Sequence, residues 1–138
     1  MEFGQVLAEY VKGVTLDKVP QRDIDVAKLA ILDQVGVALA VVGEAPGVKV
    51  QAMVNRCTAN EATVLGTPRK TSTWLAALVN GTLGHTLDFD DCSSFGHPSV
   101  VLVPAMLATG ETQDRSGREL GASFGERGND LRVIRGCA

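Results

Sequence analysis

The segment from Pro20 to Gly43, PQRDIDVAKLAILDQVGVALAVVG, limits what this chain can fold into more than any other part of it. Ile24, Ala27, Ile31, Val35 and Ala38 recur three or four residues apart, which places them on one face of a helix. Pro20 is tolerated in a first helical turn, and Asp23 and Asp25 suit the positive end of the helix dipole. From Val35 onward the run VGVALAVV is apolar on every side, so the second half of the helix is expected to lie among other helices. The most apolar window, Leu29 to Val42, is interrupted by Asp33 and Gln34 and falls short of the roughly 20 residues that span a bilayer. It reads as a buried helix stopped by Gly43, and it needs helical partners.

The rest of the chain supplies them. Phe3, Val6, Leu7, Tyr10 and Val11 form an apolar stripe ended by Gly13, and Val50, Met53, Val54 and Cys57 repeat helical spacing after Pro46-Gly47. Ala62 to Leu65 is a short extended piece, followed by a turn at TPRKTS. From Thr73 to about Leu87 a further helix is expected, with Thr71 or Ser72 as N-cap and Trp74, Leu75, Leu78, Val79 and Thr82 inward. Ala77, Gly81 and Gly84 on about one side allow a second backbone to approach; the alternative is that the glycines only weaken the helix by about 1 kcal/mol each. Pro98 and Ser99 open another helix to about Thr109, with Pro104 as a kink or as its true beginning. The predicted fold is all-α with at most one short extended strand, without repeats or alternating βαβ units.

A chain of 138 residues can bury one core but not two. With 45% hydrophobic residues and a net charge of −3, it reads as a soluble globular protein with no nucleic-acid footprint and no membrane partner. Cys57, Cys92 and Cys137 are odd in number and lack a CxxC pair, which argues against a disulfide framework or a structural zinc site and for a cytoplasmic setting. The start, MEFGQVLAEYVKG, has no basic residues ahead of an apolar run, so no signal peptide is expected.

Against that background, HTLDFDDCSSFGHP concentrates three aspartates, a cysteine and both histidines between two apolar segments. A metal could use Asp88, Asp90 and Asp91 with His85 or His97, but no HxxxH frame is present and near-adjacent aspartates splay. Aspartates at DxD spacing also serve phosphoryl transfer from strand ends, whereas the preceding segment here is helical. Cys92 with His97 as base is a possible nucleophile pair if the intervening loop folds back. An acid/base reading asks for less: a carboxylate at the end of a buried helix holds an imidazole in its useful tautomer, and free amides at the start of the next helix attract an anion. A solvated polar loop with capping aspartates remains the plainest alternative.

Several segments in order, LAEYV, VAKLAILDQVGVALA, EATVLGT, WLAALVNGTLGHTLDFDD, HPSVVLVPA and SGREL, resemble the MmgE/PrpD family over about Leu7 to Leu120. Its members include 2-methylcitrate dehydratases and cis-aconitate decarboxylases. The resemblance implies the N-terminal part of a helical domain in a longer chain, usually dimeric, acting without metal or other cofactor on small carboxylic acids. It assigns Asp88 and His97 to the active site, and the mechanism expected there has His97 as proton donor or acceptor and Asp88 orienting either His97 or the substrate. Cys92 stands where the family commonly has threonine, as a weaker substrate contact. Asp90 and Asp91 are read as structural.

Ser116 and Glu119 form a capping box, yet GASFGERGNDLRVIRGCA brings closely spaced glycines and no apolar stripe. The expectation is a partial family domain over 1–120 and a divergent Gly-rich tail over 121–138 arising from a frameshift or truncation, with no helix after the box. The family's later lysines, which approach substrate carboxylates, have no counterpart up to residue 138. Two functions follow: an N-terminal portion of a lyase, inactive alone, or a non-catalytic helical module that associates with another chain.

Overall fold

The computed structural model describes residues 4–6, 9, 17, 19–92 and 96–125, with side chains up to residue 121. The helix expected over Phe3 to Val11 lies largely outside them, although residues 4–6 and 9 are helical. Helix α1 spans Gln21–Ala40 with Pro20 at its N-cap and Asp23 in its first turn. Ala27 and Ala38 are buried and Ile24, Ile31 and Val35 partly buried, as their spacing requires. The second half is not enclosed, however: Leu32 and Leu39 are 68% and 48% exposed, and Leu29 further back is 65% exposed. Neighbouring elements cover one side of α1, and its centre is held by Gln34, 2% exposed, where a small residue on a facing helix makes room.

After a turn, α2 (Ala45–Gln51) continues into a 3₁₀ turn, Ala52–Arg56. The expected extended piece is β1 (Ala62–Thr63), and TPRKTS, read as turn alone, contains its partner β2 (Lys70–Thr71). The strands are antiparallel, with Ala62 opposite Thr71 and Thr63 opposite Lys70. Asn80 fastens this hairpin by accepting from Leu65 N and donating to Thr63 O, both at 2.9 Å. The Glu111 carboxylate accepts from Thr63 N and Oγ1 at 2.7 Å and from Lys70 Nζ at 2.8 Å.

Helix α3 spans Thr73–His85, with Ser72 at the N-cap position. The Ser72 hydroxyl does not cap it; Glu61 Oε2 accepts from Thr73 N and Oγ1 instead. Leu75 and Val79 face inward as expected, but Trp74 is 66% and Leu78 46% exposed. The reason is that α3 packs on α1, on the hairpin and on α4 (Pro98–Thr112), so the small or hydrogen-bonding residues Ala76 and Asn80 take inner positions and turn Trp74 and Leu78 outward. Gly84 receives the Gln34 side chain, and a Cβ at Gly81 would lie 3.1 Å from the Val100 carbonyl, so both glycines serve close approach.

Helix α4 continues through Pro104, which neither opens nor ends it. Pro104 deprives the Val100 carbonyl of its intrahelical donor, and that carbonyl is the one turned toward Gly81. The expectation that no helix follows the capping box is corrected: α5 spans Gly117–Gly125. Glu119 Oε2 accepts from Ser116 N at 2.9 Å and from Ser116 Oγ at 2.8 Å. Leu120 packs into Gly110 of α4, supplying a tertiary anchor that periodicity did not reveal.

The main core joins Ala38, Val41, Val54, Val64, Leu75, Val79 and Leu83. A second cluster around Ala27 and Val103 ties α1 to α4. The described chain is thus a mostly helical layer with one small hairpin. No single helix in it is long and apolar enough to cross a membrane, and α1 with the following helix reaches that test only as a pair bent by 94°.

Candidate active site

The polar stretch forms the connection from the end of α3 to the start of α4. His85 closes α3, and its backbone carbonyl accepts from Asp88 N at 3.1 Å. Asp88 then adopts a φ of 54°, a left-handed conformation that aspartate tolerates better than most residues and that reverses the chain. The reversal leaves Phe89 77% exposed and drives Asp90 inward, its side chain fully buried. Hydrophobicity alone ranks these two the other way. The pull on Asp90 is polar: both of its oxygens meet an imidazole.

Asp90 Oδ1 lies 2.9 Å from His85 Nδ1 in a hydrogen bond. An ionised carboxylate only accepts, so Nδ1 carries the proton and Nε2 is left to gain or lose one. Asp90 Oδ2 lies 2.9 Å from His97 Nδ1, but off the line of a hydrogen bond, so neither atom is satisfied by one within the described chain. The attraction there is a charge contact that grows when His97 is protonated. The two rings meet edge to face with centroids 4.7 Å apart.

The hydrogen bond from Asp90 raises the His85 pKa above its ordinary value of 6.5; partial burial opposes this, and the charges of Asp90 and Asp88 add to it. Asp88, expected beside His97, is 76% exposed with Oδ1 3.8 Å from His97 Nε2. It is therefore at the solvent edge of the group, while Asp90 is its buried centre. Donor atoms of His85, Asp88, Asp90 and His97 all fall within 4.8 Å of one another, a set that also offers imidazole and carboxylate ligands to a divalent cation.

Asp91 has a separate task. Its oxygens accept from Ser99 N at 3.0 Å and Ser99 Oγ at 2.8 Å, capping α4 from outside the helix. This alters one expectation, because the first amides of α4 are not open to an anion: Pro98 has none and that of Ser99 is taken. Gly96, at a φ of 106°, turns the chain so that His97 sits at the N-cap position of α4. Cys92 is exposed beside Asp91.

Asp88 and His97 thus lie in one cluster with His85 and Asp90, which sequence reasoning weighed only as metal donors, with Asp90 otherwise read as structural. A faint signal for His85 was its position at the end of a buried helix. For Asp90 there was none, since its burial follows from the reversal at Asp88. The MmgE/PrpD N-terminal domain model matches residues 5–124, which include this whole site and reach past residue 120 into α5. No curated protein matches the chain significantly.

Proposed function

Because the chain belongs to the MmgE/PrpD family, we propose that this imidazole and carboxylate cluster is one half of an acid/base site in a lyase acting on small di- or tricarboxylic acids. The observation that carries the reading is the buried Asp90 carboxylate, with one oxygen 2.9 Å from each of two histidine Nδ1 atoms. Such a carboxylate orients the His85 ring through a hydrogen bond and favours its charged form, and it holds the His97 ring within contact, while each Nε2 faces away from it to exchange a proton with a substrate. His97 is the proton carrier, with Asp90 as its buried positioning partner and Asp88 at the solvent edge. In a dehydration His97 takes the proton from the carbon beside a substrate carboxylate and the departing hydroxyl gains one to leave as water; in a decarboxylation the carbon–carbon bond breaks first and His97 gives its proton to the carbon that carbon dioxide leaves. Cys92 offers a thiol contact at the rim.

Asp88 and Asp90 stand among the two histidines, so an acidic substrate needs cations as counterpart. Lys70 does not supply them: it pairs with Glu111, about 20 Å along α4 from its start at the rate of 1.5 Å per residue. On this reading further polypeptide supplies the basic half of the site, and the chain is expected to be inactive alone. In a turnover-competent complex, His97→Ala is expected to lower kcat on cis-aconitate or 2-methylcitrate about 10²- to 10⁴-fold. Unchanged turnover removes His97 as proton carrier. Activity is also expected to survive excess chelator; its loss would assign the four donor residues to a cation.

A second reading, a non-catalytic helical module, draws on Leu29, Leu32 and Leu39 along one side of α1, all about half exposed or more. That stripe suits another chain, the completing half of the enzyme included. Binding of a partner without any turnover on either acid favours the module.

A further inference from the structure

The imidazole and carboxylate cluster holds one pair of atoms that proton transfer alone leaves unexplained. Asp90 Oδ2 and His97 Nδ1 are both buried and lie 2.9 Å apart, yet neither has a hydrogen-bond partner among the described residues. The Asp90 side chain is fully buried, and a charged oxygen in that state calls for a positive partner. A separation of 2.9 Å is that of neighbouring ligands on one transition-metal ion: bonds of about 2.0 to 2.2 Å place adjacent ligand atoms about 2.9 to 3.5 Å apart. Two more donors stand at the same place, since ligand atoms of His85, Asp88, Asp90 and His97 all fall within 4.8 Å of one another. The side chains of Asp88 and His85 are 76% and 48% exposed, which gives them room to close the remaining distance. Near-adjacent aspartates do splay here, and Asp91 is turned to Ser99. The reversal at Asp88 nevertheless brings Asp88, Asp90 and both rings to one point.

We propose that His85, Asp88, Asp90 and His97 bind a divalent transition-metal ion of the zinc type. Two imidazoles suit such an ion and disfavour Mg²⁺ and Ca²⁺, which take oxygen ligands, and two carboxylates match its double charge. Asp90 and His97 are the fixed half of the site, and Asp88 closes it from the solvent side. The ion takes ring nitrogens in place of protons. It therefore occupies the group that would carry a proton, which makes it an inhibitor of the lyase proposed above and not its cofactor, in keeping with turnover that survives a chelator. The inhibitory role rests on the lyase reading; the binding site does not.

Binding is measured on the untagged full chain, stripped of metal with a chelator, by calorimetric titration with Zn²⁺ and with Mg²⁺. One Zn²⁺ per chain is expected, with release of protons and no measurable binding of Mg²⁺. His97→Ala and Asp90→Asn should each weaken zinc at least about tenfold. The triple variant Cys57→Ser, Cys92→Ser, Cys137→Ser should leave zinc affinity unchanged, which separates this site from capture by thiols. If Asp90→Asn does not fold, His97→Ala and the solvent-side Asp88→Asn decide. Absence of zinc binding, binding lost with the thiols, or an affinity unchanged in His97→Ala overturns the site. In a turnover-competent complex, zinc should lower kcat by about 10²-fold or more and excess chelator should restore it. Full turnover by the zinc-loaded complex overturns the inhibitory role, whatever the binding result.

Discussion

At the scale of single residues, Asp90 controls the candidate site. The bond from its Oδ1 raises the His85 pKa, so Asp90→Asn is expected to bring His85 back toward its ordinary 6.5. Titration of the imidazole resonances by NMR measures this, and a His85 pKa that stays raised would show another group to be responsible. The sign of the stability effect follows. A raised folded-state pKa gives stability that is fully present below the unfolded value near 6.5 and lost as pH rises through the folded one. Urea midpoints should therefore fall across that window in the parent and lose this component in Asp90→Asn. Sequence reasoning could see that an aspartate would orient a histidine. It could not choose between Asp88 and Asp90, because a single left-handed residue determines which carboxylate turns inward.

At the scale of elements, the helices meet where side chains are smallest. In α2, a Cβ on buried Gly47 would come within 2.6 Å of the Val41 carbonyl and 2.9 Å of Leu83 Cδ2. Gly36, midway along α1, has open space around it. The same substitution should therefore have opposite signs: Gly36→Ala stabilises by up to about 1 kcal/mol through helix propensity, whereas Gly47→Ala destabilises by about 1 to 3 kcal/mol through overpacking against backbone. Chemical denaturation measures both, and a stabilising Gly47→Ala would refute the close packing of α2 on the end of α1. Helix spacing was legible because it depends on neighbours in sequence: Pro20, the Ser116 and Glu119 box and the inner face of α1 behave as their patterns require, whereas Ser72 does not cap α3 and α1 stops at Ala40, before Gly43. Trp74 and Leu78 were misplaced for the converse reason. Which side of α3 is covered depends on the hairpin and α4, which lie elsewhere in the chain.

At the scale of the whole molecule, Leu29, Leu32 and Leu39 leave an apolar stripe of α1 exposed, a surface on which copies of the chain can meet. Leu29→Glu with Leu32→Glu should reduce self-association in sedimentation without lowering the unfolding midpoint, since both side chains are about two-thirds exposed. A clear loss of stability would mean that these residues belong to the core after all. The sequence by itself determined the mostly helical class, the family, the position of the polar cluster between two helices and the pairing of aspartate with histidine as its chemistry. Those features follow from local periodicity and residue type. Only the tertiary structure decided that Asp90 is buried between two histidines and that Asp91 is occupied with Ser99. Each joins groups from different elements, and their meeting depends on chain reversals and on the close approach of helices at glycine.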